Sequence, residues 1–153
     1  MKGKFIIIEG IDGSGKSIQA RFLLNRIKKE KRKVKFIKFP QYEKNYWGGI
    51  VAKYLRGEFG KTVSGNAYLP SMFYALDRWE SAKKISNWLE KGYNVVCDRY
   101  ADSSKIHQLA KLKIKSEKLK IEKWLDLLEY GILKIPRPNT VVYLDMPIKF
   151  AFK

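Results

Sequence analysis

The sequence has a single cysteine, Cys97, and a single histidine, His107. One cysteine excludes an internal disulfide, which suits a reducing compartment, and one residue of each type excludes a zinc site built from cysteine and histidine. No apolar run has the length needed to cross a bilayer, and the first residues lead directly into a strand-like segment. We therefore expect a soluble, cytoplasmic protein with no membrane partner.

Acidic residues are also scarce, because 15 Asp and Glu stand against 32 Lys and Arg, for a formal net charge of +17. Such an excess attracts phosphates and favours non-specific nucleic-acid binding. The lysines are spread along predicted helices instead of forming one tail, which is typical of solvated helix faces, so nucleic acid is not the expected partner. The 153 residues, 45% of them hydrophobic, suffice for the core of one domain covering residues 1–153.

A glycine-rich stretch, GIDGSGKS, follows the apolar run at residues 5–8. It fits the phosphate-loop pattern G-x-x-x-x-G-K-[ST], whose backbone N–H groups converge on a polyphosphate at a helix N-terminus. Lys16 is expected to reach the outer phosphates of a nucleotide, and the Ser17 hydroxyl is expected to hold Mg²⁺. The candidate ATP-binding residues are Gly10, Ile11, Asp12, Gly13, Ser14, Gly15, Lys16 and Ser17.

Strand-like and helical patterns alternate along the chain. A buried strand is predicted at Lys4–Glu9, further strands are predicted at Val34–Phe39, Asn94–Asp98 and Thr140–Asp145, and a loop is predicted at Gly60–Gly65. Helices are predicted after the phosphate loop, at Tyr46–Leu55, at Leu69–Glu90, from about Ser103, at Glu117–Tyr130 and from Pro147. The long helix is predicted to bury Met72, Ala75, Leu76, Trp79, Ala82 and Leu89.

This alternation predicts an α/β fold of the phosphate-loop NTPase type, a three-layer α/β/α arrangement with a parallel sheet and helices on both faces. Ligands of such folds bind beyond the carboxyl ends of the strands. Asp98 stands at one of these ends, where a carboxylate can support Mg²⁺ directly or through water. Arg99 beside it would lie beneath the nucleotides, the alternative being a structural Asp–Arg pair that closes the strand.

Three further residues indicate a second substrate. Tyr74 and Arg78 lie one helical turn apart, and an aromatic plane beside a guanidinium suits a heteroaromatic base, the alternative being that Tyr74 belongs to the core. Asp12 places a carboxylate among loop amides that favour anions, which is costly unless the carboxylate binds a hydroxyl group or Mg²⁺. A sugar hydroxyl of a second substrate would meet that requirement.

Several stretches together resemble the thymidylate kinases: IIIEGIDGSGKSIQA, KFPQY, MFYALDRWES, NVVCDRYADSS and LKIPRPNTVVYLDMP, which cover nearly all of residues 3–149. The resemblance implies in-line transfer of the γ-phosphoryl group of ATP to dTMP, giving dTDP, with Mg²⁺ and in a homodimer. It implies catalytic roles for Lys16, Asp98 and Arg99 and metal binding by Ser17 and Asp98. The dTMP-binding residues that it implies are Asp12, Phe39, Pro40, Tyr74, Arg78, Arg99 and Ser104.

The sequence also departs from the pattern of this family. Ile18 stands where relatives commonly have Thr, Gln41 and Tyr42 stand where an arginine is common, and Ile106 and His107 replace a small residue and an aromatic one. Relatives continue past the position of Lys153 into an arginine-bearing lid and a last strand, so we expect a fold that lacks both. Two alternatives stay open: a basic nucleotide- or nucleic-acid-binding module without kinase activity, and a related kinase with another acceptor.

Overall fold

The computed structural model describes residues 1–147 and Lys149. The chain divides into two compact units. The sheet unit comprises Met1–Lys38, Lys83–Tyr100 and the described residues from Arg137 onward, and the helical unit comprises Phe39–Ala82 and Ala101–Pro136. The expectation of a single domain over residues 1–153 stays a prediction.

The sheet unit contains a four-stranded parallel sheet with the order β2-β3-β1-β4. Its inner strand β3 is buried along its whole length, which explains a run of apolar residues without alternation. The predicted parallel sheet is therefore confirmed, with strand ends that differ from the predictions by at most one residue. The strands are β1 (Phe5–Gly10), β2 (Val34–Lys38), β3 (Asn94–Asp98) and β4 (Thr140–Leu144).

Helix α1 (Lys16–Lys29) begins directly after the phosphate loop and packs on the sheet through its predicted apolar face. Ala20 and Ile27 are buried against Ile8 of β1 and Val96 of β3. Leu23 and Leu24 pack on the same cluster and are partly buried. The packing fixes the N-terminus of α1, and with it the phosphate loop, at the carboxyl end of β1.

The helical unit is built from short helices and the first part of one long helix. Its core joins Ala67, Ile121 and Leu125, with Leu109, Leu112 and Trp124 packed around them. Ile121 and Leu125 lie one helical turn apart and are almost fully buried. The helices are α2 (Tyr46–Leu55), α3 (Gly60–Gly65), α4 (Tyr68–Glu90), α5 (Ala101–Leu109) and α6 (Lys115–Asp126), with a π-helical turn at Leu127–Ile132.

Two predictions about the helices were wrong. The segment Gly60–Gly65 is a helix and not a loop, because its two glycines stand at the ends and no helix breaker lies between them. The helix predicted to run to Tyr130 is α-helical only to Asp126 and then widens into a π-helical turn. The helix predicted from about Ser103 is confirmed as α5, which begins two residues earlier, at Ala101.

The buried face of α4 also differs from the prediction. Met72 and Trp79 were expected inside, but they are 38% and 47% exposed. The helix instead buries a stripe that contains two polar side chains: Ser71, Ala75, Arg78, Ala82, Ile85 and Leu89. Polar side chains can occupy such positions when they are hydrogen-bonded, as Ser71 is to the Ala67 carbonyl at 2.6 Å.

The helix predicted from Pro147 would consist mainly of Ile148 and Phe150–Lys153, which lie outside the described residues. Among the helices that the structure describes, none combines the length and the apolar character required to span a bilayer.

Candidate active site

The phosphate loop connects β1 to α1 and contains two glycines in left-handed conformations, Gly13 at φ 77° and Gly15 at φ 82°. Residues with a Cβ adopt these angles at a cost, so glycine suits both positions. The loop folds back on itself, with the Ser14 N–H donating to the Ile11 carbonyl at 3.2 Å. Lys16 Nζ donates to the same carbonyl at 2.5 Å, so its ammonium group lies over the loop.

A cavity of about 330 Å³ opens at the loop and lies entirely within the sheet unit. This volume is in the range of small-molecule binding sites. Gly10, Ile11 and Ser14 belong to the same loop but are not among the residues that line the cavity. The lining residues are Asp12, Gly13, Gly15, Lys16, Ser17, Ile18, Lys38, Asp98 and Arg99.

Ser17 and Asp98 meet inside this cavity. The Ser17 hydroxyl donates to Asp98 Oδ2 at 2.7 Å, and Lys38 Nζ lies 3.6 Å from the same oxygen. Asp98 is buried, and its Oδ1 atom has no hydrogen-bond partner within the described part of the chain. A buried carboxylate oxygen is seldom left in that state, since it costs the desolvation penalty of the group.

The pair therefore fits a Mg²⁺ ion, which binds to oxygen ligands and accepts few of them from the protein. Among residues 1–147 and 149, no group of three or more His, Cys, Asp or Glu side chains could hold a metal ion by itself. A Mg²⁺ ion at Ser17 and Asp98 would thus take its other ligands from water and from nucleotide phosphates.

Arg99 has a left-handed backbone with φ 66°, which is uncommon for a residue with a Cβ. Its N–H donates to the Ile8 carbonyl at 3.1 Å, so the end of β3 is tied to β1. Its guanidinium forms an ion pair with Asp12 across the cavity. Strained backbones of this kind occur at functional sites, where the surrounding structure enforces them.

The electrostatic environment of Lys16 is unusual for a lysine. Burial is the largest cause that lowers its pKa below the ordinary value of 10.5, and the positive charge of Arg99 lowers it further. Asp98, Asp12 and Glu9 act in the opposite direction. A polyphosphate in this cavity would add negative charge and raise the pKa of Lys16.

The helical unit contains the remaining candidate residues. The Arg78 side chain is buried, donates from Nε and Nη2 to both carboxylate oxygens of Glu129 at 2.7 Å, and donates from Nη2 to Ser104 Oγ at 2.8 Å. Tyr74 is half-buried, and its ring meets that of Tyr54 edge-on, with 6.4 Å between centroids. Phe39 is buried and Pro40 is half-buried. The structure thus brings Arg78 and Ser104 into direct contact.

Asp77, the neighbour of Arg78, anchors the segment before α2. Its carboxylate accepts from the Gln41 N–H at 3.1 Å and from Asn45 Nδ2 at 2.9 Å. Burial raises the pKa of Asp77 above its ordinary value, and the hydrogen bonds from Asn45 and Gln41 oppose that rise. Asp77 therefore holds the Phe39–Pro40–Gln41 segment to α4.

The thymidylate kinase family profile matches residues 8–153 of this chain. This chain belongs to the thymidylate kinase family. The resemblance found in the sequence is confirmed, and the alternative of a nucleic-acid-binding module is not favoured.

Relatives within the thymidylate kinase family come from distant organisms. The chain is 35% identical over 150 residues to the thymidylate kinase of Plasmodium falciparum (isolate 3D7), covering 98% of this chain and 65% of that protein. It is 33% identical over 157 residues to a probable thymidylate kinase of Pyrococcus abyssi (strain GE5 / Orsay), covering 100% of this chain and 70% of that one.

Among solved structures, the thymidylate kinase of Candida albicans matches with a TM-score of 0.76 and 27% identity, over 99% of this chain and 67% of that one. The phosphate-loop NTPase fold is thereby confirmed. The chain spans about two thirds of the length of these relatives.

Three residues near the candidate sites were missed by the sequence reasoning: Lys38, Asp77 and Glu129. Glu129 offered a signal, because it continues the series Ile121, Leu125 at four-residue spacing and so places a carboxylate on the apolar face of a helix. Lys38 and Asp77 offered none, since charged residues at a strand end or on a helix are ordinary.

Proposed function

We propose that this chain binds ATP at the phosphate loop and dTMP as acceptor, and that it transfers the γ-phosphoryl group between them. Membership of the thymidylate kinase family supports both substrates. The observation that carries the proposal is the cavity in which Lys16, Ser17, Asp98 and Arg99 converge at the carboxyl ends of β1 and β3. This is the set of groups that phosphoryl transfer requires for positioning and charge neutralisation.

In the proposed reaction an oxygen of the dTMP phosphate attacks the γ-phosphorus of ATP. The bond from that phosphorus to the bridging oxygen breaks, and ADP and dTDP are released. Lys16 binds the outer phosphates of ATP, and the amides of Gly13, Ser14 and Gly15 hold them at the N-terminus of α1. Arg99 binds the acceptor phosphate, and its charge offsets the repulsion between the two anions.

Ser17 and Asp98 would hold Mg²⁺, which supplies further neutralisation of phosphate charge when bound. On the acceptor side, Asp12 takes the deoxyribose hydroxyl, and Phe39 and Pro40 line the monophosphate site. Tyr74 stacks on the thymine ring, Arg78 donates to a base carbonyl, and Ser104 lies next to Arg78, to which it is hydrogen-bonded.

We further propose a homodimer. The exposed face of α4 carries Leu69, Met72 and Trp79 at helical spacing, so one apolar stripe of the helical unit faces solvent. Such a stripe suits a two-fold contact with the same helix of a second copy. Trp79→Lys should shift the chain to monomers in sedimentation velocity, whereas Lys83→Met should not.

Calorimetric titration of the chain with dTMP, dCMP and dGMP tests the acceptor, and titration with ATP and Mg²⁺ tests the donor. Lys16→Met should lower ATP affinity by about 10- to 100-fold, the worth of a charge-assisted hydrogen bond, and leave dTMP affinity unchanged. Lys29→Met, which removes an exposed lysine from the same helix, is the matched control. Equal affinity for the three monophosphates in folded protein would reject dTMP as the acceptor.

A further inference from the structure

Both residues of the ion pair between Arg78 and Glu129 are almost fully buried. Arg78 is 1% exposed and Glu129 is 2% exposed, and they share two parallel hydrogen bonds of 2.7 Å. Ser104 Oγ accepts the second hydrogen of Nη2 at 2.8 Å, so one whole edge of the guanidinium is fixed. Two bonds to a carboxylate define the plane of a guanidinium as well as its position.

Stability alone explains this arrangement poorly. Buried ion pairs gain little over apolar residues of similar volume, because the desolvation of both charges offsets their attraction. The ion pair does, however, hold the Arg78 guanidinium in one position and one plane. Glu129 lies in the π-helical turn Leu127–Ile132, a widened turn of the kind frequently found at functional sites. The local departure from α-helix is where Glu129 reaches Arg78.

We propose that Glu129 is a positioning residue that makes Arg78 selective for a pyrimidine with a carbonyl at C4 over one with an amino group there. The inference rests on the proposed function, in which Arg78 donates to the base. A guanidinium carries only donors, so it pairs with the carbonyl of dTMP and opposes the amino group of dCMP. A mobile arginine could swing away from that amino group, whereas an arginine held by Glu129 and Ser104 cannot.

The test compares dTMP and dCMP affinities in wild type, Glu129→Gln and Glu122→Gln. Glutamine keeps the size of Glu129 but replaces one accepting oxygen with an NH2 donor, so one of the two hydrogen bonds from Arg78 is lost and the dTMP-to-dCMP affinity ratio should fall about tenfold. Glu122 is exposed on α6, and its replacement removes the same charge and should leave the ratio unchanged. Unchanged ATP affinity with Mg²⁺ shows that each variant is folded.

A structural role for Glu129 would lower both affinities together or neither, so an unchanged ratio in folded Glu129→Gln overturns the inference while leaving the proposed function intact. Absence of dTMP preference in the wild type overturns the proposed function, and the inference with it. If Glu129→Gln does not fold, Glu129→Asp provides the comparison. It keeps the charge but withdraws the carboxylate by one methylene, so its ratio should fall below those of wild type and Glu122→Gln, and an unchanged ratio overturns the inference.

Discussion

Asp98→Asn separates the contribution of this carboxylate to metal binding from its contribution to folding. Two losses lower the free energy of unfolding of Asp98→Asn. The ion pair with the half-exposed Lys38 contributes about 0–1 kcal/mol, and the negative charge of the carboxylate strengthens the hydrogen bond from Ser17 by about 1 kcal/mol. One term favours the substitution, because the variant no longer buries an anionic Oδ1 without a hydrogen-bond partner in the described residues, a cost of about 1–3 kcal/mol. The free energy of unfolding should therefore lie between about 1 kcal/mol below and about 2 kcal/mol above that of wild type.

The effect of Asp98→Asn on nucleotide binding should be much larger and should depend on metal. With Mg²⁺ present, ATP affinity should fall by about 10- to 100-fold, the usual cost of losing a group that holds or orients a metal. With a chelator present, ATP affinity should stay constant or rise, because the carboxylate otherwise repels the phosphates.

The assay is calorimetric titration with ATP, with Mg²⁺ and with chelator, beside urea unfolding of the same samples. Glu30→Gln is the matched control, since it also removes one acidic charge from the sheet unit but at an exposed position. If Mg²⁺ raises the ATP affinity of Asp98→Asn as much as it raises that of wild type, the assignment of Asp98 to the metal site is refuted. A loss of several kcal/mol in unfolding free energy would instead refute the energetic reasoning.

Three further predictions concern stability and association. Gly48→Ala should destabilise the chain by about 1–3 kcal/mol in urea unfolding, because its Cβ would lie 2.5 Å from Asn45 Oδ1, whereas Gly49→Ala, whose Cβ has only a 3.6 Å contact, should stabilise it. Because burial raises the pKa of Asp77, its contribution to stability is fully present below pH 3.8 and is lost as pH rises through the raised pKa. Relative to Asp77→Asn, wild type should thus lose unfolding free energy with rising pH in that window, and a constant difference would contradict this. Val142→Lys should reduce self-association in light scattering, because Val142 is 42% exposed on an edge strand of the described sheet; equal scattering by both proteins would count against it.

The sheet unit could be predicted from the sequence almost completely, for a physical reason. Its two inner strands, β1 and β3, are largely buried, so their residues form apolar runs bounded by charged and polar residues. The phosphate loop adds a pattern that is specific because each residue has a separate task at the polyphosphate. Lys16 and Ser17 could therefore be predicted from the loop pattern, and Asp98 from its place at the end of a strand. The structure places all three at one cavity.

The helical unit was harder to predict because a glycine in a sequence can mark either the end of a helix or a loop. At Gly60 and Gly65 glycines mark the ends of a short helix, although a glycine pair at this distance is also typical of a loop. The end of α6 was missed for another reason, because a π-helical turn depends on what its side chains reach and not on local propensity.

The buried face of α4 was predicted wrongly because Arg78, a residue of the candidate base site, points into the core. Hydrophobic periodicity places Met72 and Trp79 inside, and it would be right if every buried position were apolar. The helix instead turns Arg78 inward, because Glu129 and Ser104 on other helices of the same unit satisfy its donors and offset its desolvation. Met72 and Trp79 are rotated outward as a consequence. A polar residue on the buried face of a helix, against the pattern of its neighbours, thus depends on hydrogen-bond partners from other elements, which the pattern of one helix does not contain.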